Sequence, residues 1–240
     1  LIAALVAVFV AVPEVGFAAS TFTIDLGEGG SEQLSSAMKM VSILTFITLA
    51  PSLILTMTSF VRIVTVLSLL KTALGTQTAP PQQVVTGLAI FLTAAIMWPV
   101  GTEVYTKGLG PYLEDEIPGK EALYRSIKPV KEFMIKQTRE SDLVLINEIQ
   151  GSGRPETLDD IGLQTLIPAF VISELRTGFE MGFLIFLPFL LLDIVVSSIT
   201  MSLGLVMLPP ALLSMPLKIM LFVLADGWNM IVGSLVRSFG

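Results

Sequence analysis

Asp193 and Asp226, each set in an otherwise apolar run, are the residues of this sequence whose type and setting come closest to chemistry. Two aspartates that share one proton activate water, which is how an intramembrane aspartyl protease would work. Neither lies in the Gly-x-Gly-Asp setting expected of that class: Asp193 follows Leu190-Leu191-Leu192 and Asp226 follows Leu224-Ala225. Intramembrane acids combined with proline-broken helices also suit a secondary transporter or an ion channel. Unpaired, each carboxylate would cost roughly 2.5–3.5 kcal/mol in an apolar helix, so each needs a cation or a wet cavity. Lys218 is the candidate cation. Along a straight hairpin Asp193 sits more than ~20 Å from the Pro209-Pro210 turn at ~1.5 Å per residue, while Lys218 sits close to it. The expected pair is therefore one between staggered subunits.

The chain has no His and no Cys. That removes the commonest general base, the commonest metal ligand, the thiol nucleophile and any disulfide framework. Gly27, Gly29 and Gly30 form a glycine-rich run without the Lys-Ser/Thr ending that a phosphate-binding loop requires. Asp159 and Asp160 follow Thr157 at a helix start expected at Leu158, where they complement the positive end of the helix. No catalytic residue, cofactor or metal site is expected, and the chain does not read as an enzyme.

Positioning such groups falls to apolar helices. The sequence is 53% hydrophobic and 14% charged, with a mean hydropathy of +0.81, far from the mix of a water-soluble domain. Its net charge of −6 argues against nucleic acid as a partner. Residues 1–19 have the pattern of a secretory signal peptide: apolar Leu1–Val12, then Pro13, Glu14 and the small-residue exit Gly16-Phe17-Ala18-Ala19, with cleavage after Ala18. Lacking an initiator Met and a basic start, the sequence is expected to begin part-way into that signal. A polar lead-in covers residues 20–38.

Residues 39–102 form a first apolar helical pair. Met40–Val61 is uncharged, bracketed by Lys39 and Arg62, and long enough to cross a bilayer, with Pro51 as a kink. The second span is Val84–Val100. Arg62 and Lys71 lie between the two with no acid, so the positive-inside rule places that stretch in the cytoplasm and the polar insert of residues 103–180 in the periplasm. Within the insert Pro129 is expected to open an amphipathic helix containing Val130, Phe133 and Met134. A second hairpin fills residues 181–240, with spans Met181–Met207 and Leu217–Val236 around Pro209-Pro210. The fold class expected is all-α and membrane-associated: helical hairpins with a helical periplasmic insert. Gly178 and Gly182 lie one helical turn apart and admit a close helix neighbour. We expect that neighbour in another subunit, ordinary packing within one chain being the alternative.

Three blocks carry a resemblance. The run from Pro168-Ala169-Phe170-Val171-Ile172-Ser173-Glu174 through Gly178-Phe179-Glu180-Met181-Gly182 resembles the signature of the FliP family of flagellar and injectisome export-gate proteins. Pro216-Leu217-Lys218-Ile219-Met220, continuing to Asp226-Gly227-Trp228, is similar to that family's C-terminal signature. Thr58-Ser59-Phe60-Val61-Arg62-Ile63 with Pro80-Pro81-Gln82-Gln83 looks like its N-terminal half.

The resemblance implies a homo-oligomer that joins FliQ and FliR in an export pore, with FlhA and FlhB beside it, in the bacterial inner membrane at the flagellar basal body. Its cargo would be unfolded flagellar subunits, and its helices would face one another as well as lipid. An injectisome homologue of the same gate is the alternative. Relatives carry a methionine-rich constriction where this chain has Leu205, Val206 and Met207, so these residues are expected to line the narrowest point as an apolar gasket. Pro168, Phe170, Glu174, Gly178, Phe179 and Gly182 are expected to serve helix packing, and Arg62, Asp193, Lys218 and Asp226 to be buried charges.

Overall fold

Long uncharged stretches without turn residues leave the backbone little choice but to satisfy its own hydrogen bonds as helix. The computed structural model describes residues 30–76, 79–151, 161–204 and 209–240; these form helices joined by short turns, with no strand among them. The chain divides into two units, Leu1–Ile54 and Leu55–Gly240. The expected signal peptide and the helix start at Leu158 lie outside the described residues, as do Leu205, Val206 and Met207.

The first unit contains nearly all of helix α1, Gly30–Thr56, which runs through Pro51. Its Met38–Thr56 stretch is long and apolar enough to cross a membrane, and its large side chains are exposed, Phe46 at 69%. The helix stops at Thr56, not at Val61, because Phe60 already opens the next one.

In the second unit, α2 (Phe60–Ala73) is followed by α3 (Gln82–Ile96) and α4 (Trp98–Val104). A π-helical turn at Tyr105–Leu109 and the short α5 (Gly110–Leu113) lead into the polar part of the chain. There α6 (Gly119–Gln137) and α7 (Glu140–Gln150) follow one another. Pro129 lies inside α6 instead of opening it. The start signal belongs to Pro118, whose extended backbone precedes Gly119, with Glu121 in the first turn complementing the helix dipole.

Helix α8, Leu163–Ser202, is the axis of the unit. Its 40 residues span about 60 Å at ~1.5 Å each, twice the ~30 Å hydrocarbon thickness. The compositional boundary after Glu180 falls inside it. Residues 163–180 carry Ser173, Glu174, Arg176 and Thr177, whereas Asp193 is the sole charge from Met181 to Ser202. That apolar half alone is long enough to span a bilayer.

Helices α9 (Pro210–Leu224) and α10 (Gly227–Arg237) close the chain at a 65° bend. The expected span over Leu217–Val236 is thus broken. Asp226 sits at the break with φ +48, and Gly227 packs beneath the Phe222 ring, which leaves no room for a side chain. A similar 56° bend separates Gln82–Ile96 from Trp98–Leu113. Among its described residues the unit has one helix that is by itself long and apolar enough to cross a membrane, and two bent pairs that reach that length only together.

Two cores hold these helices. Ile63, Val66 and Leu70 of α2 pack with Ala89, Phe189 and Leu235. Met134 of α6 packs with Leu166 and Phe170 of α8, where the Phe133 ring meets Phe170 edge-on at 6.1 Å.

Candidate functional site

A buried stripe of small, polar and aromatic residues runs along one face of α8. Phe170, Ser173, Glu174, Gly178 and Gly182 follow a three-to-four residue spacing, and all five are buried. Along this stripe the helix meets α2 in steps: Glu174 against Arg62, Gly178 against Thr65, Gly182 against Leu69. Both numbers rise together, so the two helices run parallel. A Cβ on Gly178 would lie 3.1 Å from the Thr65 Cβ, and one on Gly182 would strike the Leu69 side chain. This corrects the intersubunit expectation for the two glycines. Their close neighbour is α2 of the same chain, which the expectation had treated as a connecting stretch.

Arg62, expected among the buried charges, is one of them. It is 2% exposed and Glu174 is fully buried. Nε donates to Glu174 Oε2 at 3.1 Å, and Nη2 donates to Glu174 Oε1. Nη2 also donates to Gln137 Oε1 at 3.0 Å, and Nη1 reaches Ser238. Only Lys71 is left of the two cations on which the orientation expectation rests.

A second junction ties the α6–α7 turn to the same stripe. Ser173 Oγ donates to Asp142 Oδ2 at 2.6 Å and accepts the Arg139 backbone N–H at 3.0 Å. The Arg139 side chain donates to Thr177 Oγ1 at 3.3 Å and to Glu180 Oε2 at 2.6 Å. The hydrogen bond it donates to Glu180 is the main cause holding the Arg139 guanidinium above even its ordinary high pKa. One turn earlier, Pro168 has no N–H to offer the Gln164 carbonyl. Gln150 Nε2 fills that gap at 3.2 Å, while its Oε1 accepts from Thr165 at 2.6 Å.

The third junction holds the hairpin. Lys218 Nζ donates to Asp193 Oδ2 at 2.6 Å, and Ser214 Oγ donates to Asp193 Oδ1 at 2.6 Å. This corrects the expectation of a pair between subunits. Helix α8 ends at Ser202, nine residues beyond Asp193, and α9 begins at Pro210, eight before Lys218. The two groups stand level in one antiparallel hairpin. Lys218 also approaches the C-terminal end of α2: a Cβ on Gly75 would lie 3.9 Å from its Nζ. Cations are favoured at that pole of a helix.

The remaining candidates lie apart from these junctions. Phe179 is exposed and Pro168 half-buried. Asp226, expected among the buried charges, is exposed and accepts a hydrogen bond from Asn229 Nδ2 at 3.1 Å. Sequence reasoning missed Gln137, Arg139, Asp142, Ser173 and Ser238, although Ser173 shares the helical face of Phe170 and Glu174. Among the described residues no three His, Cys, Asp or Glu side chains gather as a metal site.

These junctions are structural, and comparison with known proteins says of what kind. The FliP family model matches residues 43–235. The chain belongs to the FliP family. It is 49% identical over 208 residues to the flagellar biosynthetic protein FliP of Bacillus subtilis, covering 87% of this chain and 94% of that one. The FliP of Pectobacterium carotovorum is 49% identical over 223 residues, 90% of this chain and 84% of its own. That of Aquifex aeolicus is 44% identical over 218 residues, 90% of each chain. The FliP family is not one of enzymes, and all three junctions lie within the matched residues apart from Ser238.

Proposed function

We propose that this chain is a pore-forming subunit of the flagellar type III protein export gate, passing unfolded flagellar subunits across the inner membrane. Several copies would join FliQ and FliR, with FlhA and FlhB adjoining, and the insert of residues 103–180 would stand on the periplasmic side. What supports the flagellar assignment is the family match over most of the chain, to relatives each named a flagellar biosynthetic protein.

The observation that carries the subunit role is how α8 divides its faces. Its buried polar and small residues, Thr165, Ser173, Glu174, Gly178, Gly182 and Asp193, are spent inside the chain on α2, α7 and α9, while Phe179, Phe183, Leu184, Leu187 and Leu191 stay exposed. A contiguous apolar face of that length needs lipid or further helices to cover it. Leu205, Val206 and Met207 fall between α8 and α9 in the sequence, and an apolar ring of such residues would block ions by dewetting.

Deleting the gene in its host provides the test. The expected result is a cell that still makes filament subunits but no longer releases them into the medium, and does not swim. A deletion strain that swims normally while losing export of virulence proteins would replace the flagellum with an injectisome. Undiminished export of both would overturn the proposal.

A further inference from the structure

A guanidinium carries five N–H donors in a fixed plane, and the fold gives every donor of Arg62 a partner. Two go to Glu174 and one to Gln137. The two on Nη1 go to the Ser238 carbonyl at 2.9 Å and the Ser238 hydroxyl at 3.0 Å. The flat face of the group covers the Phe239 ring, 3.9 Å from its centroid, a cation–π contact that strengthens when dry. Phe239 also stacks on Phe133 of α6 at 6.2 Å, and its carbonyl accepts from Gln137 Nε2 at 3.4 Å. Two of five hydrogen bonds and the whole ring contact therefore come from two residues that follow the last helix.

The geometry points to Ser238 and Phe239 as a strap that closes over the Arg62–Glu174 pair and locks α10 to α6. A buried ion pair holds only while each of its polar groups is satisfied and water is kept out. With the strap lifted, Nη1 faces water, Gln137 loses its second contact and Phe133 its stacking partner. The pair then changes from a dry clasp to a hydrated one, and the polar helix α6 is freed from the apolar helix α10. The strap is thus the element through which the C-terminal helix feels the position of the polar insert.

Hydrogen exchange on the detergent-solubilised protein tests this. We compare the full chain with one stopped after Arg237, with the double substitution S238A/F239A, and with Phe239→Trp. The first two changes are expected to speed exchange about tenfold or more in residues 131–137 and 227–237, leaving the Gly178–Thr65 contact region of α2 and α8 protected. Phe239→Trp keeps a ring beneath the guanidinium and is expected to retain most of the protection. Equal exchange in all four proteins would overturn the strap. A uniform rise over every helix would overturn it too, since a strap acts on the two elements it joins.

Discussion

Arg62 cannot be exchanged for Lys without loss, because an ammonium has three donors in a cone where the site needs five in a plane. Removing one partner of a buried pair costs about 3–5 kcal/mol. Arg62→Lys and Glu174→Gln are each expected to lower the melting temperature in detergent by on the order of 10 °C, and melts within two degrees of the parent would contradict the clasp. Asp193 and Lys218 pose a different question. If their pair lies within one chain, the swap Asp193→Lys with Lys218→Asp should restore oligomer yield when both changes are in one chain. Two singly swapped chains expressed together should not. At this scale the sequence showed which charges needed partners but not who they were. An intramembrane carboxylate announces its cost, whereas Gln137 and Ser238 become partners of Arg62 only through the tertiary fold. The distance argument that separated Asp193 from Lys218 failed on one residue. Gly204, with φ +72, ends α8 two residues after Ser202, and a left-handed glycine is an ordinary helix stop.

At the scale of elements, the parallel packing of α2 on α8 depends on two glycines. Gly182→Ala puts a methyl into Leu69 and is expected to destabilise by about 1–3 kcal/mol as an overpacked contact. Adding Leu69→Ala should recover most of that, as read from thermal unfolding in detergent; no recovery would mean the glycine acts elsewhere. Helix type was readable along nearly the whole chain, since uncharged runs of this length leave no other backbone solution. The role of α2 was not. Its charges, Arg62 and Lys71, made it look like a connection between spans, yet Ile63, Val66 and Leu70 repeat at helical spacing and form the centre of the core. The bends at Met97 and Asp226 were hidden for a similar reason: hydropathy measures length and composition, and a broken pair scores like one span.

For the whole molecule, the family was the most legible feature, because long motifs such as that from Pro168 to Gly182 tolerate little coincidence. Which apolar faces the fold leaves uncovered was not legible. The small-residue face that suggested an interface is used up inside the chain, and what stays exposed on α8 is the plain apolar face of Phe183, Leu187 and Leu191. If Leu205, Val206 and Met207 close a pore, Met207→Ala should raise ion conductance of the assembled complex in planar bilayers, while conductance equal to the parent would remove the gasket role.

The central claim is that this chain completes its burial only by joining others of its kind. Native mass measurement of the particle extracted in mild detergent, after coexpression with FliQ and FliR from the same genome, tests it most directly. The account predicts a stable particle holding several copies of the 25.8 kDa chain together with both partners. A solitary chain carrying only detergent, under conditions where it stays folded, would contradict it.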